Sequence, residues 1–158
     1  MLTNMLYATL LFLHSWLRWV VILTGLLAVG RAYLGWLGGK PWTHGDDRAG
    51  AMFNGVLDLQ FLLGLLLYFI FSPLTYAAFR DIGGAMANRG LRFWFVEHIF
   101  GMIIGIALAH VGRARLKRLG PDARRHRVAA IFFTLAMIAI LASIPWPGTP
   151  SPRPLFRW

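Results

Sequence analysis

The sequence predicts an all-α membrane fold, a four-transmembrane-helix bundle with both termini on the outer side. Three observations carry that prediction. Of 158 residues, 58% are hydrophobic and 14% charged, with mean hydropathy +0.60, whereas a soluble domain carries about 45–50% apolar and about 25% charged residues. Four apolar runs each approach the roughly 20 residues that cross a bilayer, which leaves only short connections. The basic residues are shared unevenly among those connections. Residues 1–158 read as a single transmembrane domain with no internal repeat.

The first run covers residues 5–33 and is interrupted by His14 and Arg18. The chain before it has no basic residue, and no small-residue cleavage site follows, so this run is expected to stay as a helix rather than leave as a signal peptide. The second run, 50–71, holds Asp58 and Gln60 and stops at Pro73, which cannot continue a helix. The third, 91–112, contains Glu97, His98 and His110. The fourth, 128–144, has no charged or histidine residue inside it and ends at Pro145 and Pro147, so it reads as a plain scaffold helix. His44 and His126 fall in connections and are expected to be solvated.

Orientation follows from charge. The connection after the third run carries seven basic residues, from Arg113 to Arg127, against the single acid Asp122, which places it in the cytoplasm. The loop around Lys40 and Arg48 is then also inside, and the 72–90 loop and both termini are outside. Tyr7, Trp36, Trp42, Trp94 and Trp146 suit interfacial belts. The formal net charge of +10 is accounted for by this topology and by anionic head groups, not by nucleic acid. The absence of cysteine excludes disulfides, thiolate metal sites and covalently attached c-type haem.

A charge inside a span costs several kcal/mol unless it is paired or faces a cavity, so the polar residues there carry the information. His14 lies nine residues from the outer start of its run and His98 seven, both about 10–14 Å deep at 1.5 Å per residue. Two histidines at one depth on parallel helices meet the needs of axial ligation of haem b, with His14 and His98 as the metal ligands. Gly101 and Gly105 share a face with His98. They form either a flat wall for a macrocycle or a small-residue stripe for helix packing. Arg18, one turn below His14, matches Asp58 in depth, and an Arg18–Asp58 ion pair is expected; otherwise Arg18 meets a haem propionate or an anionic substrate. Glu97 is left to pair with Arg92 or Arg18, or to carry protons. His110, about 18 Å further along the helix than His98, reads as an interfacial residue.

Three segments, Leu13-His14-Ser15-Trp16-Leu17-Arg18-Trp19, Phe93-Trp94-Phe95-Val96-Glu97-His98, and Ser143-Ile144-Pro145-Trp146-Pro147 with Arg153-Pro154-Leu155-Phe156-Arg157, resemble a family of small bacterial four-helix membrane proteins known as cytochrome b or cytochrome b-like. The similarity spans nearly the whole chain. It implies haem binding and electron transfer in the bacterial inner membrane, with His14 and His98 as ligands. Some members carry a histidine in the second helix where this chain has Asp58, which leaves a different ligand pair open. The expected function is therefore an electron carrier with one haem between the first and third helices, serving a quinol or a respiratory membrane complex, alone or as part of an oligomer. The alternatives are a haem-free structural or assembly subunit of a larger complex and a small transporter using Arg18, Asp58 and Glu97. No hydrolytic motif is present, so a stand-alone enzyme is disfavoured.

Overall fold

A computed structural model describes residues 2–157. It contains α1 (Leu2–Leu37), α2 (His44–Leu66), α3 (Pro73–Arg80), α4 (Ile82–Ala87), α5 (Arg89–Arg92), α6 (His98–Leu116) and α7 (Asp122–Ala142), with no strand among the described residues. Two π-helical turns, Leu67–Phe71 and Phe93–Glu97, extend α2 and lead into α6. Four stretches are long and apolar enough to cross a membrane: Leu2–Leu37, His44–Phe71, Arg89–Leu116 and Asp122–Ala142.

α1 packs on both α2 and α7, α6 packs on α7, and α2 touches α6 least, so α1 and α6 stand diagonally across the bundle. The residues between helices are small. Ala28, Ala32, Ala49, Ala109, Ala129, Ala130 and Ala136 are buried, whereas Leu23, Leu34, Leu62, Phe100 and Ile138 point outward. Lipid solvates large apolar groups as well as a protein core does, so helices in a membrane gain by close approach over small residues and leave the large ones outside. The two most deeply buried aromatic rings, Phe53 and Phe133, meet edge to face at 5.7 Å, and Phe93 is also buried.

Gly101 and Gly105 belong to this packing. A Cβ on Gly105 would lie 2.7 Å from Ile140 Cγ1, and one on Gly101 would collide with Ser143 Oγ. Both face α7, and neither lines the cavity described below. Of the two roles open to them, helix packing is the one the structure shows.

At the arginine-rich end, Asp46 closes the start of α2 by accepting from the Thr43 backbone N–H at 2.8 Å, while Arg31 Nε reaches its other oxygen at 3.0 Å and ties α1 to that turn. Arg113 donates to Asp47 at 2.9 Å, joining α6 to α2. His126 departs from the expected solvated loop. α7 begins at Asp122, before the apolar run, and carries His126 to 1% exposure beneath Gly35, with Trp42 at 4.8 Å. His44 is exposed as the first residue of α2. At the opposite end the 72–90 loop folds into short helices whose N-caps are visible in the sequence. Ser72 caps α3 ahead of Pro73, Asp81 caps α4 and Asn88 caps α5, each accepting a backbone N–H three residues on.

Gly105→Leu is expected to cost about 1–3 kcal/mol through overpacking, read as a lower thermal midpoint in detergent. Gly30→Leu, where an added Cβ meets nothing within 4 Å, leaves the midpoint unchanged.

Candidate functional site

His14 of α1 and His98 of α6 face each other across the bundle interior, their ring centroids 6.4 Å apart and their planes at 72°. His98 Nδ1 lies 2.7 Å from the carbonyl oxygen of Ser143, at the end of α7. A carbonyl can only accept, so Nδ1 carries the proton and Nε2 keeps a lone pair. Trp94 and Phe93 pack on the same ring at 5.4 and 5.9 Å. His14 is held from α2: Gln60 Nε2 donates to its backbone carbonyl at 3.0 Å, and Gly64 leaves room for its ring. His14 Nδ1 and Gln60 Oε1 are buried without a partner among the described residues.

The two rings sit at the junction of a cavity with two lobes of about 90 and about 60 Å³. The larger lobe lies against α2 and is apolar, with Phe61, Leu65, Leu67 and Ile99 in its lining. The smaller lies towards α7 and includes Arg18, Arg153 and Arg157. Both π-helical turns border the larger lobe. A π turn withdraws a carbonyl from the α-helical ladder, and a buried carbonyl needs another donor. Tyr68 Oη donates to the Phe95 carbonyl at 2.8 Å, and Thr75 Oγ1 donates to the Tyr68 carbonyl at 2.6 Å. The two wide turns are thereby fastened to one another beside His98.

Arg18 does not pair with Asp58. Its Nη2 donates to the Leu155 carbonyl at 2.6 Å, an oxygen that also accepts from Trp19 Nε1 at 3.1 Å. Asp58 sits on the face of α2 turned to α6 and meets His110 Nε2 at 2.7 Å, so His110 is a side-chain partner on the α2–α6 seam rather than an isolated interfacial residue. Glu97 takes Arg92, at 2.8 Å, of its two candidate partners.

The partner of Arg18 belongs to a strap, residues 143–157, that folds back over α1. Trp16 Nε1 donates to the Arg157 carbonyl at 2.9 Å, and Phe156 stacks on Trp19 at 5.3 Å. The Arg153 backbone N–H donates to Pro145 at 3.1 Å, its guanidinium lies 4.9 Å over Trp94, and Trp94 Nε1 donates to Ser151 Oγ. Burial, and then the charge of Arg153, hold the Arg157 guanidinium below its ordinary pKa. No Asp or Glu is among the residues lining either lobe. Sequence reasoning did not assign a role to Gln60, Tyr68, Arg153, Arg157 or the Ser143 carbonyl. The last three lie in the 143–157 segment that follows the fourth span.

Among the described residues, no group of three or more His, Asp or Glu is placed to hold a metal ion. The opposed imidazoles bring together two nitrogen-bearing rings and no third such group. Comparison with family models, curated proteins and solved structures returns no match.

Tyr68→Phe should lower stability by about 1–3 kcal/mol, because it leaves the Phe95 carbonyl without its donor. Unfolding in mixed detergent–SDS micelles measures it. Tyr76→Phe, at a ring 65% exposed, serves as the unaffected comparison.

Proposed function

We propose that this chain is a membrane electron carrier that holds one haem b between His14 and His98. The observation that carries the reading is the spacing of the two rings. An imidazole nitrogen binds a first-row metal at about 2.0–2.1 Å and lies about 1.1 Å from its ring centre, so two rings opposed across one metal stand about 6.3 Å apart. The rings here are 6.4 Å apart. The donor chemistry agrees: Ser143 fixes the His98 tautomer that leaves Nε2 free to ligate, the outer partner that metal-bound histidines normally have. A macrocycle that supplies four in-plane nitrogens needs only two ligands from the protein.

Haem b held by His14 and His98 would supply one-electron transfer. The chain's own contribution is to fix two rings from diagonal helices, to exclude water with Leu57, Ile99 and Met102, and to surround the site with arginines. Those positive charges favour the more reduced state of whatever they surround. The proposed location is the bacterial inner membrane, with the 113–127 connection cytoplasmic and the termini outside, by the charge asymmetry of the loops. A quinol or a respiratory complex would be the electron donor or acceptor.

The chain, expressed with haem supply and purified in detergent, should show a Soret band and the sharp visible bands of six-coordinate haem on reduction. His14→Ala and His98→Ala should each abolish that six-coordinate spectrum. A folded chain that stays colourless overturns the proposal and leaves the haem-free subunit as the reading.

A further inference from the structure

We infer that the 143–157 strap supplies a cationic clamp, Arg153 and Arg157 joined by Arg18 of α1, that recognises the carboxylate edge of the group held between His14 and His98. The inference rests on the haem reading and deepens it. It starts from the asymmetry of the cavity. The lobe against α2 is lined mainly by apolar side chains and meets a single arginine, Arg153, whereas the lobe towards α7 adds Arg18 and Arg157 to Arg153, with no Asp or Glu among its described lining residues. Like charges in a poorly solvated site repel one another and need an anion. Inside the chain the arginines find only partial satisfaction. Arg18 is 8% exposed and gives one bond to the Leu155 carbonyl, with its Nε unpartnered; the Arg157 Nε is likewise buried and unpartnered. Arg153 lies over the face of Trp94, a contact that leaves the N–H edge of a guanidinium free to bond.

The direction of the clamp also matches the axis of the histidines. α1 and α6 are diagonal neighbours, so a flat group perpendicular to the His14–His98 line extends towards α2 on one side and α7 on the other. An apolar edge is accommodated on the first side and a carboxylate edge on the second. Haem b has one edge of each kind, with two propionates side by side. Arginine forks match carboxylates with paired, charge-assisted hydrogen bonds.

The strap is docked by groups other than these two side chains. The Leu155 and Arg157 carbonyls accept from Arg18, Trp19 and Trp16, and Phe156 stacks on Trp19. Substituting the Arg153 and Arg157 side chains therefore removes the clamp without undocking its frame.

The test reconstitutes the full chain, purified without haem, with either haemin or haemin dimethyl ester, whose two propionates are masked. The natural sequence should retain the free acid about tenfold or more tightly than the ester. In the Arg153→Gln/Arg157→Gln double variant, which keeps Arg18, that preference should fall about threefold or more while the six-coordinate spectrum persists with both compounds. Arg153→Lys/Arg157→Lys should recover part of it. Equal retention of acid and ester by the natural sequence, or an undiminished preference in the Gln variant, overturns the clamp and leaves haem binding standing. Failure of both compounds to bind overturns the haem reading, and the clamp with it.

Discussion

The hydrogen bond between His98 and the carbonyl of Ser143 is the contact on which the interior is arranged. It forms only because α6 and α7 approach closely at Gly101, where any side chain would collide with Ser143. Ser143 in turn ends α7, its hydroxyl returned to the Ala139 carbonyl at 2.8 Å, and the strap departs from this point. One missing side chain thus sets the tautomer of His98, the direction in which its free nitrogen points, and the starting point of residues 143–157. The glycine acts on the site from the same face of its helix as His98, one turn along.

The polar side chains within the spans fall into two groups. Asp47 with Arg113 and Glu97 with Arg92 are ion pairs and Asp58 is hydrogen-bonded to His110, all at partly exposed positions. Those facing the interior cavity are not paired with opposite charge. His14, Gln60, Arg18 and Arg157 each keep a buried polar atom without a partner among the described residues. Asn54 and His126 do so as well, away from the cavity, so unmet polarity belongs to the interior as a whole.

The four spans were legible because length and hydropathy alone decide them. The meeting of His14 and His98 was legible because depth along a helix can be counted from residue number. What could not be read was anything that depends on angle. The π turn at Phe93–Glu97 stands immediately before His98 and shifts the register that a uniform helical count assumes. Gly101 and Gly105 lie after that turn and keep the face of His98; what the sequence left open is that this face packs on α7. Arg18 defeated the sequence differently: its partner is a backbone carbonyl at Leu155, and a carbonyl carries no residue identity to recognise. His126 was misplaced because the apolar run, not the helix, was used to locate the start of α7; Asp122 at the first turn marks the true beginning.

Residues 143–157 follow the four spans, yet they cover α1, the earliest of the four. The carbonyls that Trp16, Arg18 and Trp19 bond to are therefore the last of these elements in chain order, and docking of the strap completes the α7 side of the cavity.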